Sequence, residues 1–70
     1  MSKRKDAKIK LSVLRESRAL SQRELSKETG IPASTIAAYE TGNRNPKLEN
    51  ALIFARFFGV PVEQIQYKNI

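Results

Sequence analysis

"TGIPASTIAAYETG", residues 29–42, is the stretch whose reading decides the fold. A glycine and a proline lead into a helical run whose two large apolar residues are Ile36 and Tyr39. At 100° per residue those two share a face with Glu40, while Ser34, Ala37, Ala38 and Thr41 lie opposite. Nothing on that outer face is longer than a threonine. One side of this helix is made for burial and the other is nearly bare.

Upstream, "LSQRE" carries Ser21 with Glu24 three residues on, the pattern of a capping box. A second helix therefore runs from there to about Thr29, and Gly30 ends it as a C-terminal glycine does. Pro32 sits where the third helix begins, its missing N–H being no loss there. Two helices joined only by "TGIP" must cross steeply, which is the helix-turn-helix arrangement. Such corners also occur in many small bundles, so the spacing alone does not assign a function.

Downstream, Gly42 ends the third helix and "GNRNP" is a polar turn. The spacing predicts a fourth helix from about Lys47 to Phe58, buried through Leu48, Ala51, Leu52, Ala55 and Phe58, with Gly59 stopping it. "PVEQI" predicts a short fifth helix with Val62 and Ile65 facing inward. A first helix is expected from about Asp6, a candidate N-cap, to about Arg18, with Leu11, Leu14 and Arg15 on one face. No segment alternates with period two, so no strands are expected. The fold class is then all-α, a bundle of five short helices containing a helix-turn-helix. Residues 1–7, "MSKRKDA", read as a basic N-terminal arm. Residues 8–66 read as the folded domain, with the motif at about 21–41, and 67–70 as a C-terminal tail.

Seventy residues is one domain, near the lower limit for folding on an apolar core alone. The absence of cysteine excludes disulfides and thiolate metal sites and fits a cytoplasmic setting. The absence of histidine removes the commonest general base and metal ligand. No apolar run approaches the ~20 residues of a membrane span, and no signal-peptide core follows the basic N-terminus. The acidic side chains are scattered over helix surfaces and caps. No Gly-rich phosphate loop or nucleophile–base pair is visible, so neither an enzyme nor a cofactor or metal is expected.

The net charge is +6, and its placement matters more than its size. Residues 1–20 hold seven basic and two acidic side chains, whereas residues 21–46 balance three against three. A basic chain of this size points to a polyanion, most often nucleic acid. The plainer alternative is a soluble domain with a charged tail.

From Leu11 to Ile65 the chain resembles the XRE family of lambda-repressor-like, Cro-type helix-turn-helix domains. "LSQREL", "GIPASTI", "YETGNRNP" and "FFGV" sit at that family's spacings without a gap, across about four-fifths of the chain. The resemblance implies a bacterial or phage-type regulator of transcription that binds operator DNA as a dimer. It implies that Gln22, first residue of the second helix, holds a DNA phosphate with its backbone N–H at the positive helix end. It implies that Ala33, Ser34, Ala37 and Ala38 face the bases, and that Asn43, Arg44 and Asn45 grip the flanking phosphates. Arg15 and Glu40 occupy the pair that the family often joins in an internal salt bridge. Arg23 and Lys27, on the exposed side of the second helix, are further phosphate candidates.

Four positions depart from the pattern. Ala19 stands where the family often has glycine, so a left-handed backbone there is strained. Thr29 replaces an apolar residue, and Lys47 replaces an N-cap serine. The fourth departure is the bare third helix. Alanine and threonine can touch thymine methyls and Ser34 can hydrogen-bond to several bases, but none makes a bidentate base contact. Selectivity then leans on DNA shape, water and backbone contacts. The same bareness fits a second reading, a protein-binding adaptor or antitoxin-type module on this fold.

Ile53 and Phe57 on the fourth helix, with Tyr67 and Ile70 beyond it, are apolar where polar residues are expected. Either they are covered within one chain, together with Ile9 and Val13 of the first helix, or they form the homodimer surface. No membrane partner is expected. With no sensor segment after the helices, no small-molecule ligand is expected either.

Overall fold

Two isoleucines far apart in sequence, Ile9 and Ile65, tie the ends of the domain together. A computed structural model describes residues 8–67. Ile9–Lys10 form a strand, β1, that pairs in parallel with Ile65–Gln66, β2, in the register Ile9 with Ile65 and Lys10 with Gln66. This overturns the expectation of no strands. Two-residue strands are too short to show an alternating pattern, so periodicity cannot reveal them.

Helix α1 spans Leu11–Ser17, so Ile9 and Lys10, expected within it, are strand instead. The candidate cap Asp6 lies outside the described residues. Helix α2 spans Gln22–Thr29, α3 spans Ala33–Thr41 and α4 spans Leu48–Phe58. The expected fifth helix is a single 3₁₀ turn, Val62–Gln64, that passes directly into β2. Pairing of Ile65 with Ile9 competes with helical continuation there. Among the described residues the fold therefore has four α-helices and one small parallel strand pair.

The helix ends follow local chemistry. Ser21 Oγ accepts from the Glu24 N–H at 3.0 Å, and Glu24 Oε1 accepts from the Ser21 N–H at 2.7 Å, closing the capping box that starts α2. These hydrogen bonds hold the Glu24 carboxyl below its ordinary value. At the end of α2, Thr29 Oγ1 donates to the Leu25 carbonyl at 2.8 Å and accepts from the Ile31 N–H at 3.3 Å. The hydroxyl thus serves a backbone group that an apolar residue there would leave unserved. Lys47 precedes α4 and makes no side-chain cap.

The buried core comprises Leu11, Leu25, Ile31, Ile36, Tyr39, Phe54, Ala55, Phe58 and Ile65. Helix α4 departs from the expected stripe. Ala51, Ala55 and Phe58 are buried as expected, but Phe54 fills the remaining place, while Leu48 is 67% and Leu52 36% exposed. Both sets fit a helical period, and they differ only by a small rotation of the helix. The larger aromatic buries more area. Its ring meets Tyr39 edge-on at 6.1 Å and lies 6.3 Å from Tyr67.

That rotation also repositions the residues expected at a dimer surface. Ile53, Phe57 and Tyr67 are partly buried against this chain's own core, and Ile70 lies outside the described residues. Arg18 covers Phe57 and Phe58, with its guanidinium 5.2 and 5.3 Å from the two ring centres. Its Nη2 also donates to the Phe58 carbonyl at 3.3 Å, placing a cation at the negative end of α4. Ile9 and Val13 remain exposed, as do Leu48 and Leu52.

Candidate nucleic-acid interface

Three residues, Gly30 to Pro32, separate α2 from α3. Gly30 turns the chain at φ 80°, a left-handed backbone that glycine adopts without penalty. Ile31 is buried immediately before the α3 N-cap position, and Ile36 is buried in the next turn. Those are the two places of a hydrophobic staple, which fixes the angle at which a helix enters. The corner is therefore held from inside the core.

Ile36 and Tyr39 turn inward, and Asn50 on α4 donates to the Tyr39 hydroxyl at 2.9 Å. On the opposite side of α3, Ser34 and Thr41 are exposed, and Ala33, Ala37 and Ala38 are partly exposed. The four residues expected to face bases thus share one open surface with no side chain reaching far beyond the backbone.

Charged and polar groups lie on the preceding helix and in the following turn. Gln22 opens α2 and is partly buried, whereas Arg23 and Lys27, one turn apart, are exposed. Asn43, Arg44 and Asn45 are exposed in the turn after α3. The N–H groups of Asn43 and Arg44 already donate to the Ala38 carbonyl, at 2.9 and 3.3 Å. Any anion gripped by those two residues must therefore be held through their side chains. Asn45 lines an open groove with Lys8, Gln66 and Tyr67, so β1 brings the root of the N-terminal arm beside this turn. Residues 1–7, including the basic positions Lys3, Arg4 and Lys5, lie outside the described residues.

Beneath the surface sits one polar network. Arg15 Nε donates to Glu40 Oε2 at 2.8 Å, and Arg15 Nη2 to Glu40 Oε1 at 3.1 Å, a two-pronged pair. The side chains are only 12% and 8% exposed. Hydrogen bonding to Glu40 raises the Arg15 pKa, against a smaller opposing effect of burial. Arg15 Nη1 donates to the Leu20 carbonyl at 2.8 Å, and Gln22 Nε2 donates to Glu40 Oε1 at 2.9 Å. A single carboxylate near the end of α3 therefore anchors both α1 and the start of α2. The Gln22 contact and the role of Arg18 carry no sequence signal, because a polar contact across many residues leaves no period.

Two helices joined through only three residues, a bare outer face on the second and polar groups on the neighbouring helix and turn define a helix-turn-helix module. The chain belongs to the XRE-type helix-turn-helix family, whose model matches residues 11–65. It is 39% identical over 56 residues to the cryptic phage CTXphi transcriptional repressor RstR of Vibrio cholerae, a match covering 80% of this chain and 50% of that protein. It is 41% identical over 58 residues to an uncharacterized HTH-type transcriptional regulator of Methanocaldococcus jannaschii, covering 83% of this chain and 88% of that one. The chain spans about half the length of the phage repressor. No solved structure matches it significantly. Among the described residues, no helix is long and apolar enough to cross a membrane, and no group of three or more His, Cys, Asp or Glu side chains could hold a metal ion.

Proposed function

We propose that this chain is a transcriptional regulator that binds operator DNA as a homodimer, with α3 in the major groove. The observation that carries the reading is the open α3 face, flanked by Gln22 at the positive end of α2 and by Asn43, Arg44 and Asn45 in the following turn. Membership of the family and likeness to a phage repressor support it. Ala33, Ser34, Ala37 and Ala38 admit the helix backbone close to the base edges, where small side chains read methyl groups and shape. Gln22, Arg23, Lys27, Asn43, Arg44 and Asn45 hold the phosphates on either side and set the register. The exposed Leu48 and Leu52 on α4 supply apolar surface for a second copy, and a symmetric pair reads sites one DNA turn apart.

The bareness of α3 taken alone also fits a protein-binding adaptor, whereas Gln22 and the turn at 43–45 favour DNA, and one titration separates the two. Fluorescence anisotropy with a mixed-sequence duplex should show binding that weakens steeply with salt, with a slope of about −0.9 in log K per neutralised phosphate. Arg44→Ala should weaken binding on every sequence by a similar factor and flatten the slope. Affinity unchanged between low and physiological salt supports the adaptor. Sedimentation of Leu52→Glu tests the dimer: a folded monomer with weaker binding is expected.

A further inference from the structure

Glu40 does more than close a salt bridge. A carboxylate can only accept, and this one takes three donors: Arg15 Nε, Arg15 Nη2 and Gln22 Nε2. The Gln22 amide is therefore fixed with its nitrogen toward Glu40, one N–H committed to the carboxylate and the second left over. Beside it, the capping box uses the N–H groups of Ser21 and Glu24. Among the described residues, no acceptor serves the N–H groups of Gln22 and Arg23 at the positive end of α2. The Leu20 carbonyl, one residue before the cap, is held by Arg15, which is itself held by Glu40. The same carboxylate thus grips the start of α2 from both sides of Ser21.

We infer that Glu40 is a positioning residue for a DNA phosphate that it never touches, because it holds the Gln22 amide and the first turn of α2 in donor-outward geometry. This rests on the DNA-binding reading above. Without Glu40 the amide is free to turn its carbonyl oxygen toward the phosphate, replacing attraction by repulsion. The sign of the effect is diagnostic. Glu40→Gln removes a negative charge and takes the formal net charge from +6 to +7. Charge alone then predicts tighter binding to DNA, whereas loss of positioning predicts weaker binding.

The test is a double-mutant cycle on duplex affinity. Wild type, Gln22→Ala, Glu40→Gln and the double variant are titrated with one mixed-sequence duplex at fixed salt. The temperature is one at which circular dichroism shows every variant folded. Gln22→Ala is expected to bind about tenfold more weakly, the scale of one hydrogen bond to a charged group. Glu40→Gln should weaken binding to a similar extent, and in the Gln22→Ala background it should cause no further loss. Glu40→Asp is the second variant, keeping the charge opposite Arg15 but withdrawing the carboxylate by one methylene. It should show the same Gln22-dependent loss, and it stands in for Glu40→Gln if that variant does not fold. Wild-type affinity in Glu40→Gln or Glu40→Asp, or an equal loss with and without Gln22, overturns the inference. If wild type binds no duplex at all, the DNA reading fails and this inference falls with it.

Discussion

Ala19 and Gly59 do the same job with different residues, so exchanging them measures the strain at Ala19. Helix α1 ends with the Ala19 N–H donating to the Glu16 carbonyl at 2.9 Å and the Leu20 N–H to the Arg15 carbonyl at 3.2 Å. Helix α4 ends with the same pair of bonds: Gly59 N–H to Arg56 at 3.3 Å and Val60 N–H to Ala55 at 3.0 Å. Both are Schellman motifs, in which the residue after the helix is left-handed and the next packs inward. Ala19 lies at φ 57° and Gly59 at φ 70°, and Leu20 and Val60 both pack against the core. A left-handed backbone costs an L-residue roughly 1–2 kcal/mol. Glycine returns part of this, about 0.4–1 kcal/mol, through the greater freedom of its unfolded chain. Ala19→Gly should therefore stabilise by about 1 kcal/mol, raising the melting temperature by roughly 4–8 °C for a domain of this size. Gly59→Ala should lower stability by a similar amount, and a Cβ there meets nothing within 4 Å, so the loss is conformational rather than steric. Thermal melts followed by circular dichroism, with urea titrations for the free energies, give both numbers. An unchanged or lower melting temperature for Ala19→Gly, beside a harmless Gly59→Ala, would refute the reasoning.

Arg15→Met should cost about 3–5 kcal/mol in urea titrations, because Glu40 is left almost buried with Gln22 as its remaining partner; a loss below about 1 kcal/mol contradicts a buried pair. Tyr67→Phe should be neutral or slightly stabilising, because the buried Tyr67 hydroxyl has no hydrogen-bond partner among the described residues. It should also flatten the alkaline limb of the stability profile. Burial pushes the Tyr67 phenol from 10.0 up to about 12, so unfolding releases its proton in that window and stability falls as pH rises through it. Equal alkaline losses in wild type and variant would contradict this.

The corner was legible because each of its joints has a chemical marker. Ser21 with Glu24 and Gly30 each perform a local task that few other residues perform, and Pro32 falls at the N-cap of α3, one place before the first helical position that its missing N–H suits. Ile36 and Tyr39 were legible as core because α3 carries no other large apolar residue. Helix α4 is ambiguous for the opposite reason. "LENALIFARFF" holds so many apolar residues that two faces fit a helical period. The choice of Phe54 over Leu48 and Leu52 is made by the rings of Tyr39 and Tyr67, which no local window contains. The strand pair escaped similarly, because it depends on Ile9 meeting Ile65.

Within the candidate site, two opposite charges on inward faces point to Arg15 and Glu40 from the sequence, and Gln22 is singled out for a phosphate, but its bond to Glu40 leaves no mark there. Its place matters most because α3 is bare. A recognition helix with arginine or glutamine can absorb a small shift of its axis by changing rotamers, since long side chains reach over several ångströms. Ala33, Ala37 and Ala38 have no rotamers to change, and Ser34 has one short torsion. On the DNA-binding reading, contacts from such a face form only where the helix backbone itself is delivered to the right depth and angle. The burden of accuracy then moves from the outer side chains to the inner polar network. The two-pronged Arg15–Glu40 pair ties α1 to the end of α3, and Gln22 ties that same carboxylate to the start of α2. A hydrophobic isostere of that pair could match its stability, but it could not hold the Gln22 amide. Retaining charge at this position therefore follows from what the surface above it lacks.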